Sequence, residues 1–232
     1  HLPARRYDYT KATVGGWCSG LVLNHMNPPL ADVGAAAVAA AVQHNAGSIE
    51  PGNGITWIKM NKNAITATGA AAIASALDAH AGITGLHLDM NPLGDQGAAV
   101  LARSLGSHAG LVWLSLQDTA VTDEGVRVFA EALKDNSELT MLNLDDNDAI
   151  TDTGADAIAH ALHLNPSSML TDMNLGFRHL CKPKPGKKGE KMKIEHMCNS
   201  KGVRQSTATR KALDDVLKKT KATFKTRRRQ EL

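Results

Sequence analysis

The chain has 232 residues, of which 43% are hydrophobic and only 3% aromatic, so its core must be built from aliphatic side chains and its 34 alanines. No run of about 18 apolar residues occurs, which excludes a membrane-spanning helix. The net charge of +3 is unevenly divided: residues 1–181 carry 9 Lys/Arg against 18 Asp/Glu, whereas residues 182–232 carry 17 against 5. We therefore expect an acidic body and a basic tail that binds an anionic partner.

The three cysteines, Cys18, Cys181 and Cys198, are odd in number and widely spaced. This pattern argues against a secreted disulfide scaffold and for a reducing, intracellular compartment. We expect the cytoplasm, the cytoskeleton or a cilium, with an organelle as the alternative.

After an N-terminal extension or cap at residues 1–16, the body of the chain is an internal repeat. Gly69, Gly97, Gly125 and Gly154 are spaced by 28, 28 and 29 residues, and Gly34 lies 35 residues before the first of them. Apolar residues recur 3, 4, 7 and 8 positions after each glycine, which is one stripe of an α-helix. An aspartate two residues before four of the glycines (Asp32, Asp95, Asp123 and Asp152) is predicted to cap its own helix.

Between the predicted helices lies a second repeated unit with apolar residues at positions 1, 4 and 6, such as Leu111, Leu114 and Leu116. The alternation after position 4 predicts a short strand with one buried face. Asparagine follows at Asn63, Asn91 and Asn147, where a buried side chain can bond the turn backbone of the neighbouring repeat. The segment around Leu21 and Leu23 is interpreted as a degenerate first copy.

The unit L-x-x-L-x-L-x-x-N-x-L, repeated every 28–29 residues, resembles the ribonuclease-inhibitor-like class of leucine-rich repeats. That class includes NOD-like receptors, the Ran GTPase-activating protein and ciliary scaffold proteins. The resemblance covers about residues 17–180, or six copies, and implies an α/β solenoid with a concave parallel β-sheet and convex α-helices. Residues 181–205 are then predicted to be a basic linker, and residues 206–232 a basic amphipathic helix and tail.

Residues at odd strand positions are expected to line the concave surface. Trp57 and Trp113 lie there two strands apart, which at about 4.8 Å per strand places them roughly 10 Å from each other with Gly85 between. Exposed tryptophans beside charged residues are typical of an interface hot spot, and packing of both rings against neighbouring side chains is the alternative. The predicted partner-binding residues are Trp57, Lys59, His87, Asp89, Trp113, Asp118, Met141, Asp145 and Asp146.

Catalysis finds little support, because no phosphate-binding loop, nucleophile elbow or zinc-protease motif occurs. His87 and Asp89 without a nucleophile are interpreted as an ordinary polar contact. We expect no enzyme activity and no cofactor. His179, Cys181, His196 and Cys198 form an H-x-C-x14-H-x-C pattern. It matches no standard zinc finger, so coincidence is favoured over a metal site.

The tail is predicted to form a helix over 206–226, capped by Ser206 or Thr207, with Ala212, Leu213, Val216, Leu217 and Thr220 as its apolar stripe. RNA phosphates, an acidic protein surface and the chain's own acidic body are the candidate partners. A solvated tail without a partner is the alternative. The residues expected to bind an anionic partner are Lys211, Lys218, Lys219, Lys221, Lys225, Arg227, Arg228 and Arg229.

Together these features predict a non-catalytic scaffold or adaptor subunit of a larger protein assembly. The resemblance leaves a regulator of a small GTPase as one alternative, which stimulated GTP hydrolysis would reveal. A scaffold subunit of a ribonucleoprotein, such as an organellar ribosome, is the other, and nuclease-sensitive co-purification would reveal it.

Overall fold

The computed structural model describes residues 20–45, 55–107, 110–175, 179–180, 196–198, 204–206 and 211–220. Strands and helices alternate strictly through the first three of these ranges. In chain order they are β1 Gly20–Val22, α1 Ala31–Asn45, β2 Trp57–Lys59, α2 Ala67–Ala79, β3 Gly85–His87, α3 Gly94–Ser107, β4 Trp113–Ser115, α4 Asp123–Leu133, β5 Met141–Asn143, α5 Asp152–Leu164 and β6 Asp172–Asn174.

Strands β1 to β6 form one parallel sheet in sequence order, with each strand paired to the next. The same relative residues pair throughout, so that Leu86 faces Leu114 and Leu114 faces Leu142. Consecutive helices pack against one another on the other side. This confirms the expected α/β solenoid, including the degenerate first copy, which forms β1. None of the helices in the described ranges is long and apolar enough to cross a membrane.

The core lies between the sheet and the helices and follows the predicted pattern. Leu111, Leu114 and Leu116 are each at most 1% exposed, as are the helix-stripe residues Phe129 and Leu133. Because every repeat contributes the same positions, the buried side chains form one continuous cluster along the solenoid.

The asparagine ladder also forms as predicted. The Oδ1 atom of Asn91 accepts hydrogen bonds from the Asn63 and Ile65 amides of the preceding repeat, at 2.8 and 3.1 Å. Its Nδ2 atom donates to the Met60 carbonyl at 2.9 Å. Asn147 repeats this arrangement, bonding Val121 N at 3.0 Å and the Leu116 carbonyl at 2.8 Å.

The predicted aspartate caps are wrong in one respect. The N-cap residues of α2, α4 and α5 are Thr66, Thr122 and Thr151, whose side chains accept from the residue two positions later. Asp32, Asp95 and Asp123 lie in the first turn of their own helices and accept hydrogen bonds from the next repeat, as described in the Discussion. For these three carboxylates the sequence pattern assigned the wrong helix; Asp152 lies in the first turn of α5, whose N-cap is Thr151.

The chain beyond β6 contains a second, antiparallel sheet in the order β7-β8-β9, formed by β7 His179–Leu180, β8 His196–Cys198 and β9 Arg204–Ser206. Two of these strands lie largely within residues 181–205, where only a linker was expected. Ser206 belongs to β9 and therefore does not cap the tail helix.

A helix follows at residues 211–220, here called α6. Leu213 is 4% exposed and belongs to the solenoid's own core cluster, and Val216 and Leu217 pack against that cluster. Ala212 is exposed, which corrects its assignment to the apolar stripe. The outward side carries the exposed Lys211, Lys218 and Lys219. Residues 1–16, Cys181, Lys221, Lys225 and the arginines Arg227, Arg228 and Arg229 lie outside the described residues.

Candidate interaction surface on the concave sheet

The middle of the concave sheet carries an aromatic cluster made of Trp57, His87 and Trp113. The register aligns Trp57 with Gly85 and Gly85 with Trp113, so the two tryptophans flank a residue that has no side chain. The tryptophan ring centroids are 5.8 Å apart, and His87 lies 5.4 Å from Trp57 and 6.1 Å from Trp113. These are the separations of interacting rings.

The notch expected at Gly85 is filled, which corrects the predicted spacing of the tryptophans. A Cβ atom at Gly85 would overlap the Trp57 ring, so glycine is required for the ring to lie across β3. Both tryptophans are half-buried rather than fully exposed. Their rings therefore form one continuous aromatic surface instead of two separate projections.

A polar network lies directly beside the aromatic cluster, at the carboxyl ends of the strands. The Ser115 hydroxyl donates to Asp89 Oδ1 at 2.5 Å, and the Gln117 amide donates to the same atom at 2.9 Å. His87 Nδ1 lies 3.7 Å from Asp89 Oδ2, and Asn143 Nδ2 donates to Ser115 Oγ at 2.9 Å. The network connects β3, β4 and β5 across the concave face.

The network determines the ionisation of Asp89. Burial by itself raises the pKa of this carboxyl, but its interactions with His87, Ser115 and the Gln117 amide outweigh burial and hold the pKa below the ordinary value. Asp89 is only 8% exposed and Asp145 only 7%. Asp145 accepts a hydrogen bond from the Asp146 amide at 3.1 Å. Both carboxylates are therefore largely buried beneath the surface, and their contact with a partner stays a prediction.

Two buried atoms of the aromatic cluster, His87 Nε2 and Trp113 Nε1, have no hydrogen-bond partner among the described residues. A desolvated donor or acceptor without a partner costs about 1–3 kcal/mol. Because both atoms are buried, they add to the cost of forming the cluster and are not accessible from its surface.

The loops that follow β2, β3, β4 and β5 each place a residue in the left-handed backbone region at the same position in the repeat. Lys62, Met90, Asp118 and Asp146 have φ values of 56°, 56°, 51° and 57°. Three of their amides donate to the end of the next strand: Lys62 to Asp89 at 2.8 Å, Met90 to Gln117 at 2.8 Å and Asp118 to Asp145 at 3.0 Å. These bonds from the next repeat hold the unusual conformation in place.

The resulting edge of the concave face is polarised along the solenoid. Lys59 and Lys62 lie at the β2 end, and the Lys59 Nζ atom is 5.4 Å from the Trp57 ring centroid. Asp118 is exposed and Asp146 half-buried at the β4–β5 end, and the exposed Met90 lies between the two ends. Met141 lies half-buried on β5, beside Trp113.

The sequence interpretation did not select Ser115, Gln117 or Asn143, which link the strands around Asp89. The sequence feature that could have identified them is their position: they lie at concave-facing strand positions, next to the acidic residues that were selected. Among the described side chains, no group of three or more His, Cys, Asp or Glu residues could hold a metal ion.

Comparisons with known proteins agree with this architecture. A leucine-rich-repeat family model matches residues 135–159, which include β5 and part of α5. No curated protein sequence matches the chain. Among solved structures, leiomodin-1 actin-binding site 2 is similar, with a TM-score of 0.63 and 18% identity over 82% of this chain and 94% of that one.

The tropomodulin C-terminal domain from Caenorhabditis elegans is also similar, with a TM-score of 0.60 and 11% identity over 82% of this chain and 97% of that one. At these identities the similarity concerns the fold. The chain is thus a leucine-rich-repeat solenoid.

Proposed function

We propose that this solenoid is a non-catalytic protein–protein interaction module, a scaffold or adaptor subunit, whose concave face binds a protein partner. We assign its repeats to the ribonuclease-inhibitor-like class, an assignment supported by their length of 28–29 residues and by the position of the asparagine. The observation that carries the proposal is the Trp57–His87–Trp113 cluster at the centre of the concave sheet.

Tryptophan is the residue type most typical of binding hot spots, because one side chain removes a large apolar area from water. Lysines at one end and aspartates at the other give the surface a direction, which favours one orientation of a bound partner.

The non-catalytic part of the proposal is supported by the connectivity around Asp89. The Ser115 hydroxyl bonds the carboxylate directly, at 2.5 Å, rather than a histidine nitrogen. A serine nucleophile needs a base that accepts its proton, and the base is then oriented by a carboxylate. Here the Asp89 carboxylate lies between the Ser115 hydroxyl and His87, so the serine is not paired with a histidine base. This arrangement is typical of a structural role.

We further propose that the basic tail is a second contact, directed at an anionic partner such as RNA or an acidic protein surface. The support is that α6 places its apolar residues against the solenoid and leaves Lys211, Lys218 and Lys219 exposed. Docking of the helix would thus hold these lysines on one side of the assembly.

The experiment that tests the concave face is the double substitution Trp57→Ala and Trp113→Ala in the full chain. We expect it to remove binding to partners that are cross-linked to the parent in native extract and identified by mass spectrometry. A double substitution on the convex face, Glu124→Ala and Arg127→Ala, removes an exposed ion pair and is the matched control. Retained binding by the tryptophan variant would contradict the proposal. Unfolding of that variant would show that the rings belong to the core.

Actin is a second candidate partner, because leiomodin-1 actin-binding site 2 has a similar fold over 94% of its length. Purified actin monomers and filaments are therefore defined probes. If actin is the partner, the parent chain binds one of the two forms and the double tryptophan variant does not. Absence of binding at tens of micromolar actin would eliminate this candidate and leave the general proposal standing.

A further inference from the structure

The charge of the concave surface changes along the solenoid, although the repeats fold in the same way. Lys62, Met90, Asp118 and Asp146 occupy the same position in four successive repeats, with φ values between 51° and 57°. Because the backbone conformation is the same in all four, it does not account for the change from a cation, through an apolar residue, to two anions. The change does match the needs of a partner that carries unlike charges at its two ends.

The strand positions show the same change in charge. Lys59 lies on β2, with its Nζ atom 5.4 Å from the Trp57 ring centroid, and the exposed Asp172 lies on β6. Among the described residues, no lysine or arginine occurs on β4, β5 or β6, or in the three residues that follow β4 and β5. The aromatic cluster therefore borders a cationic side at β2 and an anionic side at β4–β6.

A groove lies among the loops that follow β3, β4 and β5. Its lining combines the exposed apolar side chains of Met90, Pro92 and Ala120 with the carboxylates of Asp118 and Asp146. Lysine and arginine have an apolar stem and a charged end, so they bury the stem against such a surface while the end meets a carboxylate. The groove is thus suited to a basic side chain.

The separation between the two charged sides sets the spacing of charges in a partner. Strands β2 and β5 are three strand spacings apart, or about 14 Å at about 4.8 Å per spacing. An extended chain advances by about 3.4 Å per residue, so about four residues cover this distance. One extended segment lying across the strands can therefore contact the lysines, the tryptophans and the aspartates of the groove together.

We propose that the concave face binds an extended segment of a partner protein that carries a carboxylate and, about four residues away, a lysine or arginine, with an apolar side chain between them. The inference rests on the proposed concave function and specifies the chemistry of the partner. The carboxylate meets Lys59 and Lys62, the apolar side chain covers the tryptophan rings, and the basic side chain enters the groove beside Asp118 and Asp146. A segment of uniform charge is disfavoured, because it is repelled at one of the two sides.

The test is selection of peptides from a random display library on the immobilised full chain. We expect the enriched peptides to share an acidic and a basic residue about four positions apart, on either side of an apolar one. Lys59→Gln with Lys62→Gln should remove only the preference for the acidic residue, and Asp118→Asn with Asp146→Asn only the preference for the basic one. A synthetic peptide with the selected pattern should bind either variant about three- to tenfold more weakly than the parent, as expected for two exposed ion pairs.

The matched control is the convex double substitution Glu124→Ala and Arg127→Ala, which should keep both preferences. Charge preferences that stay the same in all variants, in peptides whose binding still requires the tryptophans, would overturn this inference and leave the proposed function standing. Equal enrichment of the same peptides by the Trp57→Ala and Trp113→Ala variant, or no enrichment by the parent, would overturn both.

Two other occupants of the concave face have their own outcomes. A purely basic selected pattern, like the sequence of residues 225–229, would indicate that the face takes a cationic segment such as the chain's own tail, and would contradict the inference. Self-association of the parent in sedimentation experiments that is lost in the double tryptophan variant would identify a second copy as the occupant and contradict it as well.

Discussion

Three junctions between repeats, α1–α2, α3–α4 and α4–α5, are each stabilised by three residues that act as a unit: an aspartate, the threonine cap of the following helix and the glycine three positions after that cap. Asp95 Oδ1 accepts from Thr122 N at 2.7 Å and Gly125 N at 3.0 Å, while Oδ2 accepts from the Thr122 hydroxyl at 2.8 Å. Asp32 and Asp123 repeat the arrangement. A carboxylate from one repeat thus satisfies free amides at the start of the next helix.

The glycine is required because the carboxylate occupies the space of its side chain. A Cβ atom at Gly125 would lie 2.6 Å from Asp95 Oδ1, and the same distance recurs at Gly69 and Gly154. Where the second repeat carries Ala67 instead of aspartate, the threonine cap is absent as well, although the glycine remains as Gly97. The following helix, α3, then begins at Gly94, with φ +59°, instead of at a threonine cap.

The substitution Gly125→Ala tests this lock. We expect it to lower the free energy of unfolding in urea by about 1–3 kcal/mol, because the added methyl displaces the Asp95 carboxylate. Gly106→Ala is the matched control, since a Cβ atom there meets nothing within 4 Å. In a helix, this control should be neutral or stabilising by up to about 1 kcal/mol. Equal losses in the two variants would contradict the lock.

Because folding lowers the pKa of Asp89, the free energy of unfolding depends on pH in the acidic range. Because the folded-state pKa lies below the ordinary value of 3.8, the stabilisation is fully present above that value and is lost as pH falls through the folded-state pKa. The free energy of unfolding of the parent, measured in urea, should therefore decrease as the pH is lowered below about 4. Asp89→Asn should lose less over the same interval, and an identical slope in the two proteins would show that the carboxylate is not preferentially ionised in the folded chain.

The buried positions were predictable at the residue scale, but the aromatic geometry and the capping partners were not. Burial of Leu114 follows from the repeat, because an inward-facing strand position lies against the hydrophobic core in every copy. The direction of the Trp57 side chain depends on the absence of a side chain at Gly85. These two residues become neighbours only through the register of β2 and β3, which a local sequence pattern does not show. Likewise, the partner of Asp95 lies 27 residues away at Thr122, beyond the reach of a local capping rule.

At the element scale, the regular solenoid was predictable because each three-residue strand is followed by a helix with the same stripe. The antiparallel sheet β7-β8-β9 was missed, since its strands have two or three residues and occur once, in a lysine-rich segment. The tail helix was predicted from the spacing of Leu213, which is buried, and of Val216 and Leu217, which are partly buried. Ser206 is not its cap, because Ser206 pairs within β9, and residues 207–210 lie outside the described residues.

Helix α6 is expected to be part of the cooperative folding unit rather than a separate tail. Leu213→Ala should lower the free energy of unfolding by about 2–5 kcal/mol, since the side chain is buried in the solenoid core. Ala212→Ser, one residue earlier on the exposed side, should stay within about 0.5 kcal/mol of the parent. Urea denaturation followed by circular dichroism measures both, and a neutral Leu213→Ala would show that α6 does not dock.

For the whole molecule, the solenoid joins two surfaces of different character. The concave face presents the aromatic cluster between lysines and aspartates, and the outward side of α6 presents Lys211, Lys218 and Lys219. Because the stacked repeats share one continuous core, the positions on the concave sheet are held in fixed relation to one another. A rigid surface loses little conformational entropy on binding, as an interaction module requires.

The most direct measurement of the central claim is site-specific photo-crosslinking in native extract. A photoreactive amino acid is placed at Lys59 or Asp118 on the concave side and, as the control, at the exposed Arg127 on the convex helix α4. The account predicts that both concave positions crosslink to the same discrete protein and that the convex position does not. Crosslinks formed equally or exclusively from Arg127 would contradict the assignment of the concave face as the binding surface.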